Sequence, residues 1–149
     1  MVVRWTWSRF AELSLDDLYD ALALRSRVFV LEQGPYQDPD GLDRHAWHLL
    51  GRDAAGALQA YLRVIDGGHR FAEPSIGRVV TSAEARGSGQ GRRLVSEGLV
   101  RCAQVWPGQP VRISAQSHLQ RFYGGFGFRT AGTEYLEDGI PHVEMLREG

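Results

Sequence analysis

Residues 86–93 read RGSGQGRR, three glycines at alternate positions with arginines at both ends. Glycine lets a backbone approach a ligand closely or adopt a positive φ. Successive N–H groups in such a turn converge on one concavity, and arginine adds charge beside it. The chemistry this offers is anion binding, with phosphate as the natural ligand. A solvated surface turn has the same composition, and arginines at a helix start are ordinarily solvated. Two phosphate-binding patterns do not fit. All 17 basic residues are arginine, so the lysine of a G-x-x-x-x-G-K-[ST] loop is missing. Gly87, Gly89 and Gly91 give G-x-G-x-G, and Arg92 stands where G-x-G-x-x-G requires glycine. A chain without lysine also cannot form a Schiff base. Cys102, the single cysteine, recurs with Leu94, Val95, Leu99 and Val105 on an apolar face and reads as core. Asp43, His45 and His48 lack a fourth zinc ligand, so no metal is expected. Trp5, Trp7, Trp47 and Trp106 come without a basic stripe and read as core or interface, not as base-stacking platforms.

The elements that must position the glycines follow from the pattern. VVRWTW alternates as a strand. Ser14 has the form of an N-cap, with Asp16 and Asp17 in the first turn. Leu15, Leu18, Tyr19, Leu22, Ser26 and Phe29 then share a helical face, and Gly34-Pro35 predicts a stop near Gln33. Residues 34–45 form a loop. AWHLLGR and ALQAYLRVID predict a hairpin, and SIGRVVTS predicts a further strand. GRRLVSEGLVRCAQVW predicts a helix ending at Trp106-Pro107-Gly108. VRISAQ predicts a strand, and SHLQRFYGGF a short helix with Ser117 and Gln120 at capping-box spacing. The remaining residues predict two strands around Glu137-Asp138-Gly139. The glycine stretch therefore joins a strand end to a helix start. The order predicts one mixed α/β domain over 1–149, antiparallel early and crossover-connected later.

Composition narrows the function class. A chain of 149 residues, 43% hydrophobic, suits one domain. A net charge of −1 offers no global field for nucleic acid. No run of 18 apolar residues exists and the first residues do not resemble a signal peptide, so a cytoplasmic protein without membrane partners is expected. One cysteine agrees with a reducing compartment.

RGSGQG fits the R/Q-x-x-G-x-G/A signature of the GNAT N-acetyltransferases. FYGGFGF at 122–128 resembles that superfamily's Tyr-x-x-Phe/Leu-Gly-Phe segment, about 30 residues later and in the expected order. LRSRVFVLEQGPYQDPDGLD, IGRVV, SAQSHLQRFYGGFGF and EDGIPHVEM make nearly the whole chain similar to the ElaA-like branch. The strand end at Gln116 departs from the superfamily, which more often carries asparagine there.

The resemblance implies a GNAT fold and acetyl-CoA as cofactor. By position, the pyrophosphate would lie on Gly87, Ser88, Gly89, Gln90 and Gly91, with Arg86 and Arg92 beside it. The pantetheine arm would run along Val79, Val80 and Thr81, with the Val79 N–H polarising the thioester carbonyl. Gln116 and Phe122 would line the far wall, and the Tyr123 hydroxyl would stand beside the sulfur. Direct transfer needs a neutral amine, a stabilised oxyanion and a stabilised leaving thiolate. Glu32, His48, Glu73 and His142 are candidates for the base, each also readable as structural. Asp38, Asp40 and Asp43 border the expected acceptor region and suggest a cationic amine, small or on a peptide; they also suit a turn. A homodimer is compatible with this reading. Three function classes follow: an N-acetyltransferase, a coenzyme A-binding or partner-binding module without catalysis, and a nucleotide-binding domain. The paired motifs favour the first, and the missing lysine disfavours the third.

Overall fold

A computed structural model of the chain describes residues 1–34 and 37–149. Eight strands form one sheet: β1 (Arg4–Arg9), β2 (Ala46–Arg52), β3 (Leu58–Ile65), β4 (Ser75–Thr81), β5 (Val111–Gln116), β6 (Arg129–Thr130), β7 (Tyr135–Glu137) and β8 (Ile140–Arg147). Their order is β1-β2-β3-β4-β5-β8-β6, with β7 also on β8. Every pairing is antiparallel except β4 with β5. That parallel pair is joined through helix α2 (Gln90–Val105), as parallel strands require a crossover. The mixed α/β domain predicted from the pattern is therefore present. No helix among the described residues is long and apolar enough to cross a membrane.

Two apolar layers hold the sheet. Leu94, Val95, Leu99 and Cys102 of α2 pack with Leu62 and Val64 of β3, Ile113 of β5 and Met145 of β8. Helix α1 (Leu15–Arg25) covers the other face, where Ala21 and Leu24 meet Leu50, Leu58, Tyr61 and Val80. Burial pushes the Cys102 thiol up to about 12, as befits a core residue.

The structure corrects several boundaries. The first strand starts at Arg4, because Val2 is exposed. Ser14 does cap α1, accepting from the Asp17 N–H at 3.0 Å. The α-helix ends at Arg25 and continues as a wider i→i+5 turn over Ser26–Val30, short of Gln33. Gly34 turns the chain at φ +122; Pro35, the expected stop, lies outside the described residues. The buried face of α1 is also rotated. Leu15 and Tyr19 are exposed, whereas Ala21, Leu24 and Arg25 are buried. Arg25 is buried with its charge matched inside, by Asp38 and Asp43. A 3-10 turn, Leu42–His45, occupies the end of the loop expected over 34–45. Ser117 opens a 3-10 turn (Ser117–Leu119) before α3 (Gln120–Gly124) and makes no cap; the Gln120 amide instead donates to the Ser117 carbonyl at 3.1 Å. Three C-terminal strands form where two were expected, the extra one being β6. The β7–β8 turn places Asp138 and Gly139 at φ 52 and 74, the two positive values of a type I′ hairpin.

Candidate active site

Strands β4 and β5 are bridged at a single residue pair, Ser75↔Arg112. Beyond it they part, and a cavity of about 360 Å³ lies between them. Ile76 to Val79 form one wall and Ile113 to Gln116 the other, with Tyr123 and Leu119 closing one side. Arg70, Glu137, Asp138 and His142 stand around the remaining rim. Four residues singled out from sequence thus meet in one cavity: Val79, Gln116, Tyr123 and His142.

The glycine turn follows β4 directly. Residues Arg86 to Gly89 are exposed, and Gly87 and Gly89 both sit at φ +80. No atom lies within 4 Å of the Cβ that either glycine lacks. Gly89 is the N-cap of α2 and no side chain caps the helix. The N–H groups of Gln90, Gly91 and Arg92 therefore precede the first intrahelical bond, from Arg93 to the Gly89 carbonyl. Open space, bare N–H groups and the positive end of a 16-residue helix fit a pyrophosphate. Arg92 is exposed at this end. Arg86 is exposed as well, bound to Glu32 at 2.8 Å. Only the backbone of Gln90 belongs to this cradle. Its side chain is fully buried and donates to the Met1 carbonyl. The Ser88 hydroxyl likewise turns inward to the Ala85 carbonyl. Val80 packs its side chain towards α1, so its contribution along the strand is also backbone.

Tyr123 is 7% exposed, with its ring edge-on to Phe122 and Phe128 at 5.1 and 5.9 Å. Burial alone pushes its phenol up to about 12. Phe122 stacks edge-on between Tyr123 and Phe126 and reaches towards Gly91 at the start of α2. The Gln116 amide donates to Gln33 at 3.2 Å across the cavity. His142 pairs with Gln116 in the β5–β8 register.

Other expected site residues are elsewhere. His48 is 1% exposed, its Nδ1 2.7 Å from the Tyr61 hydroxyl and Nε2 2.9 Å from the Asp43 carbonyl. Both nitrogens are engaged in the interior, and burial lowers its pKa; it does not line the cavity. Glu73 is held bidentate by Arg112, and Glu32 faces Arg86, so neither lines it. The expectation that Asp38, Asp40 and Asp43 form a free acidic patch is corrected. Arg25 holds Asp38 and Asp43, Arg63 holds Asp40 and Asp43, and Arg78 holds Asp38 and Asp40. Three arginines thus neutralise three aspartates, most of them buried. Burial works against the Asp40 and Asp43 carboxylates, but the guanidinium groups outweigh it and hold both below the usual carboxylate range. The one sequence signal for this cluster was Arg63, a charge inside an otherwise apolar strand. Arg70, Ser114 and Glu137 gave no signal as site residues, because only the fold brings their loop and two strands together.

Comparison with known proteins agrees with this geometry. Residues 42–148 match the family model described as an acetyltransferase (GNAT) domain. A UPF0039 protein of Synechocystis sp. is 44% identical over 147 residues, covering 98% of this chain and 96% of its own length. ElaA of Escherichia coli is 43% identical over 150 residues, covering 99% and 97%. The crystal structure of that ElaA superposes with a TM-score of 0.92, at 42% identity over 99% of this chain and 100% of its own. An acyl-CoA N-acyltransferase from Pseudomonas aeruginosa also gives 0.92, at 44% identity over 97% and 99%. With the splayed strands, the glycine turn and these matches together, the chain belongs to the GNAT acetyltransferase family, in the branch that holds ElaA and the UPF0039 proteins.

Proposed function

We propose that the protein is an N-acetyltransferase that moves an acetyl group from acetyl-CoA to a primary amine by direct attack, in the cytoplasm. The observation that carries this reading is the parting of β4 from β5 around a cavity, with the glycine turn following β4 in the chain. When bound, acetyl-CoA supplies an acetyl group activated as a thioester. The backbone of residues 87–92 holds the pyrophosphate, with Arg86 and Arg92 as flanking charges. Val79, Val80 and Thr81 offer backbone groups to the pantetheine arm, and the Val79 N–H meets the charge that develops on the carbonyl oxygen. Gln116 and Phe122 bound the far side.

Tyr123 acts as a hydrogen-bond donor and not as a full acid. Burial raises its phenol pKa, which disfavours the phenolate that complete transfer would leave in the site. A hydrogen bond to the departing sulfur needs no such transfer. The acceptor is a primary amine, small or on a peptide. The neutralised aspartates supply no preference for additional positive charge.

Calorimetry with coenzyme A, acetyl-CoA and ATP tests the reading, followed by thiol release with a panel of primary amines. Binding of coenzyme A but not ATP, with amine-dependent thiol release, is the expected result. Binding without thiol release for any amine would leave a coenzyme A-binding module. Binding of ATP in place of coenzyme A would overturn the cofactor assignment.

A further inference from the structure

We propose that His142 is the general base that takes the proton from the acceptor amine, with Glu137 stabilising the ring once it is charged; this rests on the acetyl-transfer reading. The tautomer carries the first step. His142 Nδ1 lies 2.7 Å from the Ile140 carbonyl oxygen. A carbonyl only accepts, so Nδ1 bears the hydrogen. In the neutral ring the lone pair is then on Nε2, the atom a base must present. His142 lines the cavity together with Val79, Gln116 and Tyr123.

Glu137 supplies the second step. Its Oε2 lies 3.5 Å from His142 Nε2, and Arg70 holds its other oxygen. The carboxylate is thus fixed while one oxygen faces the imidazole. That oxygen is the acceptor an Nε2–H would face once the ring has taken up the proton. The gap of 3.5 Å is longer than a strong charge-assisted hydrogen bond, so Glu137 does not lock Nε2, and His142 lines the cavity although it is only 7% exposed.

The other groups around the ring are accounted for. Tyr135 of β7 stacks on it at 6.2 Å between centroids and bonds through its hydroxyl to Ser114 of β5. Asp138 stands on the same rim, and Gln116 is its neighbour across the sheet. Glu144, two residues along β8, is occupied by Arg112. Tyr123 approaches from α3 and is neutral. The proton balance closes with these residues. His142 takes one proton from the ammonium, and the nitrogen forms the C–N bond as the C–S bond breaks. A second nitrogen-bound proton ends on the departing sulfur, and solvent relieves His142 of the first.

Two measurements test the assignment. The first uses the unaltered protein without cofactor: ¹⁵N-edited NMR of the histidine rings. A neutral His142 with its hydrogen on Nδ1 is expected, and a hydrogen on Nε2 would overturn the proposal. The second uses acetyl-CoA with glycinamide, methoxyethylamine and trifluoroethylamine, primary amines of graded basicity. The parent's kcat/KM should level off below the ionisation of the amine itself for the more basic amines. His142→Gln should lose about 10²-fold and keep rising with pH up to the ionisation of the amine itself, while coenzyme A affinity by calorimetry stays at the parent value. Imidazole added to His142→Ala should restore part of the rate. A His142→Gln profile matching the parent ends the base assignment and leaves acetyl transfer standing. A parent that binds coenzyme A but releases no thiol with any amine ends both.

Discussion

Tyr123→Phe separates chemistry from packing with one atom. The ring keeps its edge-on contacts to Phe122 and Phe128, and no side chain among the described residues hydrogen-bonds the hydroxyl. Folding stability should therefore stay level, since the ring packing is kept. Calorimetric affinity for coenzyme A should change little, because the glycine turn holds the phosphates. The loss should fall on turnover. A hydrogen bond to a charged group is worth roughly 1.5–3 kcal/mol, which converts to about 10- to 150-fold in rate. Full proton transfer would predict more, but burial raises the phenol pKa and so disfavours leaving a phenolate in the site. The assay is thiol release in a single turnover with saturating acetyl-CoA and a weakly basic amine, so that the chemical step is observed. A rate within about twofold of the parent, in that regime, would refute the role and leave Tyr123 as a packing residue.

Three further outcomes follow from other parts of the structure. Gly89→Ala should cost roughly 1–2 kcal/mol of stability, because φ is +80, and should weaken coenzyme A binding at least about tenfold, or ~1.4 kcal/mol; parent-like affinity by calorimetry would remove the phosphate cradle. Burial lowers the His48 pKa, so the unfolded chain takes up that proton first. Stability should be full above a pH of about 6.5 and decline below it, and His48→Gln should flatten that decline in urea titrations between pH 5 and 8. Asp43→Asn removes a carboxylate shared by Arg25 and Arg63, each 1% exposed; the loss should be roughly 3–5 kcal/mol, read as a lower denaturation midpoint. Asp43 is held below the ordinary carboxylate range, so its contribution is present above about pH 4 and lost in acid as the folded carboxyl titrates, a limb the variant should lack.

What the sequence made legible was local. Ser14 with two aspartates behind it gave the start of α1, and the strand-glycine-helix order gave the cradle, because each depends on neighbours along the chain. β2 and β5 were found at their observed bounds for the same reason. The cluster around Asp38, Asp40 and Asp43 was misread because its partners come from α1, β3 and β4, at separations a linear reading does not see. Arg25 is buried although a charge on an amphipathic helix normally points outward; its buried acids explain that. His48 and His142 looked alike in sequence, each a histidine in an apolar strand. One is locked between Tyr61 and Asp43, and the other lines the cavity beside Gln116, the end of the strand that parts from β4.

The loop that first looked like an acceptor lure has a different task, and Arg78 shows what it is. Arg78 carries φ +50, a left-handed backbone that costs a residue with a Cβ roughly 1–2 kcal/mol. It sits where the β3–β4 register shifts: Tyr61 pairs with Val80 and Arg63 with Gly77, so Arg78 and Val79 together face Leu62. Such a bulge bends its strand and re-aims the following residue, and here that residue is Val79, on the wall of the cavity. The strained arginine is held by Asp38 at 2.9 Å and by Asp40, while Arg63 on the partner strand grips Asp40 with two bonds and Asp43 with a third. The acids therefore clamp both sides of the bulge. Guanidinium groups suit this work because each donates in several directions from one plane, which an ammonium cannot match at a shared carboxylate. A chain whose cations are all arginine can set three of them, two fully buried, against three aspartates and so clamp the bulge of β4 beside the opening.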